Sequence, residues 1–506
     1  MHSFFLFISF LFIIISLNAQ HYFYGNNLRL YGLESKVYQS ANNVHSITKP
    51  YNYRASSKVK FSDSLFQKGV LKYGSELNTS KAIFLPVVDV DFKLSSPENN
   101  AYLSTGFGLQ CDVNLHPKIS LFSRYIFRSG QVSEYVRSSI HNRGTVRGLG
   151  ITEDSIGKFQ IHDFNFNLSA VLSKYFLVSF GNGKNFWGDG HRSLLLSDFA
   201  PSYPYIRIES EFWKIKYTNL YSAHRDHYYF DKKQYKFSSS HLLSWNIFNG
   251  LNLSVFESVV WAAKDSLNKR NFDVNYLNPI IFFRPIEYNI GSSDNSFFGV
   301  NLKATIFKRH ILYSQLILDE FLLEEIRNNN GWWANKYGFQ FGYKSFDLFE
   351  INGLGFQLEF NSVRPFTYSH LSSLQNYGNA NHSLAHPLES NFRELLTRVI
   401  FQRNNFSLEF TYAFQQHGGN TYGNFGGDMF FDYSTRIGDY NHTMLQGDLT
   451  KQHYFGFNSS YLMVAKTNTV LFTRIDFRNS INSTKNNNLL FSFGIKSNVW
   501  NSYLDY

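Results

Sequence analysis

Apolar and polar residues alternate one for one in many stretches of this chain, the period of a β-strand with one wet face and one apolar face. In DFNFNLSAVL, Phe164, Phe166, Leu168 and Ala170 share one side, and Asn165, Asn167 and Ser169 share the other. FGVNLKATIF sets Phe298, Val300, Leu302, Ala304 and Ile306 against Gly299, Asn301, Lys303 and Thr305. YGFQFGYK sets Tyr337, Phe339, Phe341 and Tyr343 against Gly338, Gln340, Gly342 and Lys344. FSLEFTYAF opposes Phe406, Leu408, Phe410, Tyr412 and Phe414 to Ser407, Glu409, Thr411 and Ala413. Near the end, LLFSFGIK places Leu489, Phe491, Phe493 and Ile495 opposite Ser492, Gly494 and Lys496. The last segment, VWNSYLDY, finishes on Tyr506 with Trp500 and Leu504 at alternate positions before it, as on a terminal strand.

Alternation alone fits a soluble β-sandwich as well as a membrane barrel. Two features favour the membrane. The apolar faces carry Phe and Tyr more than the Val and Ile of a sandwich core, and the strand pattern continues without a linker or composition break. No stretch after residue 20 reaches the ~18 consecutive apolar residues of a spanning helix. A spanning chain without such helices must close its sheet, because lipid offers no partner to an unpaired strand edge. The expectation is an all-β fold: a transmembrane, antiparallel outer-membrane β-barrel. At ~10 residues per tilted strand plus connections, the chain supplies roughly 16 to 18 strands, an even number in a bacterial barrel.

Two regions do not alternate. Residues 21–80, rich in Asn, Ser and Tyr, show no clear helical period either and form an N-terminal periplasmic or plug segment ahead of a barrel over 81–506. From about 415 to 448 the sequence is loaded with Gly, Asn and Asp and reads as a long extracellular loop.

Composition sharpens this picture. The chain holds 53 Phe and 33 Tyr but only 10 Pro, while its mean hydropathy is −0.27. Aromatic residues diluted by Asn, Ser, Gly and Lys are what strands with one lipid face and one water face give. Residues 1–20 read as a cleaved signal peptide, with an apolar run from Phe4 to Leu17 ahead of Ala19-Gln20, although the start carries His2 and no Lys or Arg. Export to the outer membrane follows. The net charge of +10 is scattered along the chain; behind a signal peptide nucleic acid is not an expected partner, and a basic lumen or rim facing acidic polysaccharide or lipopolysaccharide fits the charge. The single Cys111 allows no internal disulfide and reads as a small strand residue.

Candidate chemistry is sparse. Phe186-Trp187-Gly188-Asp189-Gly190-His191-Arg192 is polar and Gly-rich directly after a strand. It reads either as a loop folded into the lumen, with Trp187 as a stacking platform for a sugar ring and Asp189, His191 and Arg192 as hydrogen-bonding groups, or as a structural turn whose glycines permit a tight path. Arg284 and Glu287 around Pro285, Asp319-Glu320, and Glu359 with Arg364 set charges in apolar strand contexts. Such charges must face the lumen or a rim, since a lipid-facing Arg at the midplane costs about 2–4 kcal/mol. There they form either inward ion pairs or contacts to carbohydrate. Asp319 and Glu320, adjacent on a strand, point to opposite faces and cannot flank one substrate as glycoside hydrolysis requires. His382 and His386, ended by Pro387, read as loop residues. No nucleophile elbow, phosphate loop or zinc-protease motif occurs in the sequence. The expectation is a protein without catalytic residues, metal or cofactor. A passive porin is the alternative, and a lipid- or glycan-modifying barrel enzyme the more distant one.

Several phrases in the middle of the chain go further: GNGKNFWGDGHRSLLLSDFAPSYPYIRI at 181–208, YLNPIIFFRPIE at 276–287, DNSFFGVNLK at 294–303, ILDEF at 317–321, LEFNSVRPFTYSH at 358–370 and NHSLAHPLESNFRE at 381–394. In order and spacing this set resembles the Wzi-type capsule-assembly outer-membrane family, and particularly its RemB-like gliding-motility branch in Bacteroidetes. The resemblance implies a monomeric barrel in outer-membrane lipid that holds or organises surface or capsular polysaccharide, or that supports adhesion and gliding. In the capsule branch a short N-terminal helical bundle plugs the periplasmic mouth.

Overall fold

Half-buried strands leave backbone groups unpaired at every edge, and a sheet in lipid removes its edges only by closing. The computed structural model describes residues 27–39, 44–51, 71–73, 81–152, 158–226, 234–264, 271–279, 294–320, 322–483, 485–497 and 505. The signal-peptide assignment, Arg284, Glu287, Trp500, Leu504 and Tyr506 lie outside these residues.

The wall begins with β1 (Lys81–Ser96), β2 (Asn100–His116), β3 (Ile119–Gln131), β4 (Lys158–Val171), β5 (Phe176–Gly183) and β6 (Tyr203–Phe212). It continues with β7 (Ile215–Asp226), β8 (Gln234–Phe248), β9 (Leu251–Ala262), β10 (Asn295–Ile306), β11 (His310–Leu318) and β12 (Tyr337–Ser345). It ends with β13 (Leu354–Val363), β14 (Phe392–Arg403), β15 (Phe406–Gly419), β16 (Asp448–Val464), β17 (Thr469–Ile481) and β18 (Lys485–Ser497). Each strand pairs antiparallel with the next, and β18 returns to β1 in a register that runs from Leu489 opposite Ser96 to Ser497 opposite Val88. The result is a closed, antiparallel barrel of eighteen strands, an outer-membrane fold.

The expected faces are the observed ones. Phe164, Leu168, Leu302, Phe341, Phe410, Phe491 and Phe493 stand exposed on the outer wall, while Asn165, Asn167, Asn301, Gln340 and Ser492 are buried within. A continuous exposed apolar wall is stable only against lipid.

Connections differ sharply between the two ends. At one end the strands are joined by short turns, such as 213–214 between β6 and β7 and 404–405 between β14 and β15. At the other lie 132–157, 184–202, 263–294, 319–336, 364–391 and 420–447. Bacterial barrels keep short turns on the periplasmic side, which makes the long-loop end extracellular. The loop expected over about 415–448 is shorter than that, because Gln415–Gly419 continue β15, with Gly418 opposite Leu449 and Gly419 opposite Asp448.

The interior is filled from both ends. From the periplasmic side enters helix α1 (Asn27–Gln39), which the sequence hid because Tyr31, Glu34, Val37 and Tyr38 mix aromatic, acidic and aliphatic groups instead of forming an apolar stripe. Tyr31 and Tyr38 pack on Phe346, with ring centroids 5.3 and 5.7 Å away, and Glu34 pairs with Lys49 at 2.6 Å and Lys344 at 3.0 Å. Deeper in the lumen, Thr48 and Lys49 pair as a short strand with Trp187 and Phe186. Those two belong to the 184–202 loop, which descends from the extracellular end. Around the junction Ile47, Trp187, Leu194, Leu195, Leu196, Phe256, Phe297, Ile317, Tyr368, Tyr377, Met429 and Phe430 form an apolar core inside the barrel.

The outer wall holds one surprise. Part of the connection after β9, Asn271–Pro279, lies against outward-facing residues of β7, β8 and β9. Trp261 Nε1 donates to the Asn271 carbonyl at 3.0 Å, Tyr221 Oη to Leu277 at 3.0 Å, and Ser239 Oγ to Tyr276 at 2.9 Å. Irregular backbone beside lipid needs such donors, since no water is there to supply them.

Candidate functional site

Of the residues singled out in the sequence, His191, Arg192 and Glu359 meet one another, and Trp187 and Asp189 are buried on the same loop, while Glu320 and Arg364 lie apart from them. In the descending loop, Trp187 is fully buried, edge-on to Phe256 at 5.9 Å. Its ring therefore has no open face, which fits the structural-turn reading of this segment and not the sugar-stacking one. Asp189 accepts from Tyr38 Oη and Ser46 Oγ at 2.7 Å each and from Asn301 Nδ2 at 3.0 Å. Burial works against its charge, yet the Lys303 ammonium and these three donors outweigh it and hold the carboxyl below its ordinary range.

Glu359 anchors the loop tip from the wall. Its carboxylate accepts from the backbone N–H of His191 at 2.8 Å and of Arg192 at 3.1 Å, and from Tyr313 Oη at 2.8 Å. Gly190 permits this approach, since a Cβ there would lie 2.5 Å from Glu359 Oε2 and 2.7 Å from the Arg192 carbonyl. The Arg192 side chain, fully buried, reaches Glu394 at 3.1 Å and Asp505 at 3.0 Å. His386 Nε2 closes the network on Glu394 at 2.8 Å. Burial pushes the His386 imidazole down, against the pull of Glu394. Asp505 thus reaches into the lumen beside a buried guanidinium; the rest of the terminal segment read as a strand lies outside the described residues.

Two other expectations change. Asp319 and Glu320 follow β11 instead of lying in it, and both approach Lys336 Nζ, at 3.3 and 3.4 Å. Off the strand, adjacent side chains are free to converge. Burial raises the Asp319 carboxyl to about 7, with Lys336 pulling it down and Glu320 pushing it up. Arg364 does not pair with Glu359: it lies past β13, over the Tyr337 ring at 5.5 Å, and its Nη2 reaches the Trp332 carbonyl at 3.5 Å.

A cavity of about 370 Å³ opens at the extracellular end, above this packed interior. It lies among helix α2 (Glu134–Arg143), the 364–391 and 420–447 loops, and the upper inner wall of β15 and β16. Tyr135, Arg143 and Arg147 line one side, Asn381, His382 and Glu389 another, and Gln415, Gln452 and Asp428 the rest. Arg143 bridges Glu389 and Asp428. The Arg147 guanidinium lies 5.3 Å from the Tyr135 ring centre and donates to its hydroxyl at 3.2 Å. Phe199 closes the floor, edge-on to His382 at 5.2 Å. Burial raises the Glu389 carboxyl to about 7, with Arg143 opposing and Asp428 adding to the rise. It takes His382 down to about 3 despite the bond to the Ala380 carbonyl.

Sequence reasoning missed Tyr135, Arg143, Arg147 and Glu389, which sit in loops without period. The only local signals were the quoted NHSLAHPLESNFRE stretch and a Gly-rich loop. Chemically, the cavity offers an aromatic ring, planar guanidinium donors and side-chain amides around a space a small polar ring can enter.

No protein-family model and no curated protein sequence matches the chain. Among solved structures it is similar to Wzi, described as an outer-membrane protein involved in group 1 capsule assembly in Escherichia coli and a carbohydrate-binding β-barrel. That likeness has a TM-score of 0.57 and 12% identity over 94% of this chain and 99% of the other. OccAB2 of Acinetobacter baumannii aligns at TM-score 0.46 and 11% identity, over 83% of this chain and 98% of its own. OprD of Pseudomonas aeruginosa aligns at 0.44 and 8%, over 85% and 97%. At such identities the likeness is one of fold, and the fold shared with Wzi is the eighteen-stranded outer-membrane barrel.

Proposed function

We propose that this chain resides in the outer membrane as a monomer and binds surface polysaccharide, without catalysis, in the cavity at its extracellular end. One observation carries the reading: Tyr135, Arg143, Arg147 and the amides of Asn381, Gln415 and Gln452 gather around an open cavity above a filled lumen. Aromatic faces stack on the apolar faces of sugar rings, and Arg and amide groups bond to ring hydroxyls and acidic substituents. The carbohydrate binding named for Wzi agrees with this reading. The role is retention of a capsule at the cell surface, or of a coat used in gliding and adhesion as in the RemB-like branch.

The test is titration of the purified barrel with polysaccharide from the native cell surface, with a double Tyr135→Ala, Arg147→Ala variant alongside. Loss of an aromatic and an Arg contact costs about 2 kcal/mol or more, roughly thirty-fold in affinity. Binding within two-fold of the native protein by a variant with unchanged heat-modifiable mobility removes the site. Deletion of the gene then divides the two roles: lost capsule retention assigns the first, and lost spreading with an intact capsule the second.

A further inference from the structure

The two ends of the barrel differ in charge as well as in loop length. In the described long loops, acids and bases alternate and pair, as in Arg137 with Glu134, Arg143 with Glu389 and Arg436 with Asp439. The short periplasmic turns carry Lys118, Lys174, Lys214, Lys308, Arg309 and Lys466, and Arg403 ends β14 beside them. None of these cations forms an ion pair with a described acid. The acids of the described turns, Asp347 and Glu350, share one turn, and the Asp347 carboxylate is occupied by Gln39 Nε2 at 3.0 Å and the Gly353 N–H at 2.8 Å.

The same turns carry exposed aromatic tips. Trp213, Phe307 and Phe349 are 71%, 87% and 81% exposed. Each has a positive φ, 52°, 50° and 54°, a conformation that favours glycine. A large ring kept where glycine fits better, and largely exposed, points to a medium that rewards the ring. That medium is the boundary between lipid tails and headgroups, where aromatic side chains gather. Lys174 and Lys214 lie 4.8 and 5.8 Å from the ring centres of Tyr175 and Trp213, at that same level.

We propose that the periplasmic rim is a binding surface for the anionic headgroups of phospholipids in the inner leaflet of the outer membrane. The rings fix the depth of the rim, and the Lys and Arg side chains beside them reach the phosphates. A soluble acidic partner fits less well, because the cations are spaced around a ring of interfacial aromatics and not gathered on one water-facing patch.

The experiment uses the full chain in detergent, with the lipids it retains read by native mass spectrometry against added phosphatidylglycerol and phosphatidylcholine. The expected result is a preference for phosphatidylglycerol of roughly ten-fold that weakens as salt is raised. It falls to near parity in a Lys308→Glu, Arg309→Glu, Lys466→Glu variant whose heat-modifiable mobility is unchanged. Should that variant misfold, the Gln version of the three substitutions tests the same charge. Equal retention of both lipids by the native protein, or a preference that survives in the folded variant, overturns the proposal. So does a variant that keeps the lipid preference and instead stops binding purified cell-wall sacculi, which assigns the rim to an anionic polymer.

Discussion

The Tyr38 hydroxyl donates to the Asp189 carboxylate at 2.7 Å, joining residues 151 positions apart in sequence. One stands at the end of the helix that enters from the periplasm, and the other on a loop that descends from the extracellular face. With Ser46, which bonds the same oxygen at 2.7 Å, this contact locks two independent inserts into one plug. Tyr38→Phe removes a bond to a buried charge, which contributes about 1.5–3 kcal/mol. Hydrogen exchange of residues 27–51 is expected to quicken while that of the strands stays unchanged. Equal quickening of the strands means that the bond supports the whole barrel, and no change in either means that the inserts are held elsewhere.

Acid is expected to loosen the same helix. Burial opposes ionisation of Glu34, but Lys344 and Lys49 overcome it and take its carboxyl from 4.5 down to about 2. A carboxyl with a lowered pKa contributes stability that is fully present above its ordinary value and is lost as pH falls through the folded one. Docking of α1 therefore holds above about pH 4.5 and weakens toward pH 2, by on the order of 3 kcal/mol in total. Limited proteolysis of the N-terminal segment across that window reads it. In Glu34→Gln the segment is open to protease already at neutral pH, because two lysines lose their counter-charge, and the acid step disappears. An unaltered acid step in that variant assigns it to another carboxyl.

Arg192 sets the loop tip against Glu394 and Asp505. Arg192→Met leaves two buried carboxylates without their cation, a loss of about 3–5 kcal/mol when one partner of a buried pair is removed. The temperature at which the folded band converts to the slow band on a gel should drop markedly. Gly190→Ala should lower it too, since the new Cβ meets Glu359 Oε2 and the Arg192 carbonyl. A midpoint unchanged in both variants shows that the loop tip adds nothing to barrel stability.

How much of this was legible in the sequence follows from where each signal is stored. Strand faces are written locally: Phe164 and Asn165 differ in character, so their sides of the wall differ, and the same holds through Phe491 and Ser492. The lumen is written non-locally. Asp189 takes its partners from α1, from Ser46 and from β10, and Arg192 from β14 and the C-terminal Asp505. No window of sequence shows that these are neighbours, so the Trp187 segment reads either as a ligand platform or as a structural turn. The glycines of Gly188-Asp189-Gly190 marked the loop as unusual but not the reason, which is the close approach of Glu359. The cavity was least legible. Tyr135, Arg143 and Arg147 lie on and after a short helix in a loop, and Glu389 and Asp428 on two others, brought together only when the barrel closes.

The filled lumen also bears on the choice between a holder and a channel. A passive porin needs a continuous polar path, as inward strand faces supply in wide barrels. Here Leu194, Leu195, Leu196, Phe256, Phe297 and Ile317 pack together inside the wall, with Trp187 among them, and water crosses such a core poorly. Purified protein in a planar bilayer is therefore expected to show no steady open conductance. Replacing residues 188–196 by a flexible Gly-Ser segment of equal length removes the leucines and the Glu359 and Arg192 anchors together, and should create one. A steady conductance in the native protein overturns this account of the lumen and restores the channel reading. Closure in both proteins shows instead that the N-terminal insert blocks the path by itself, and cutting the chain ahead of residue 71 is the variant that separates the two blocks.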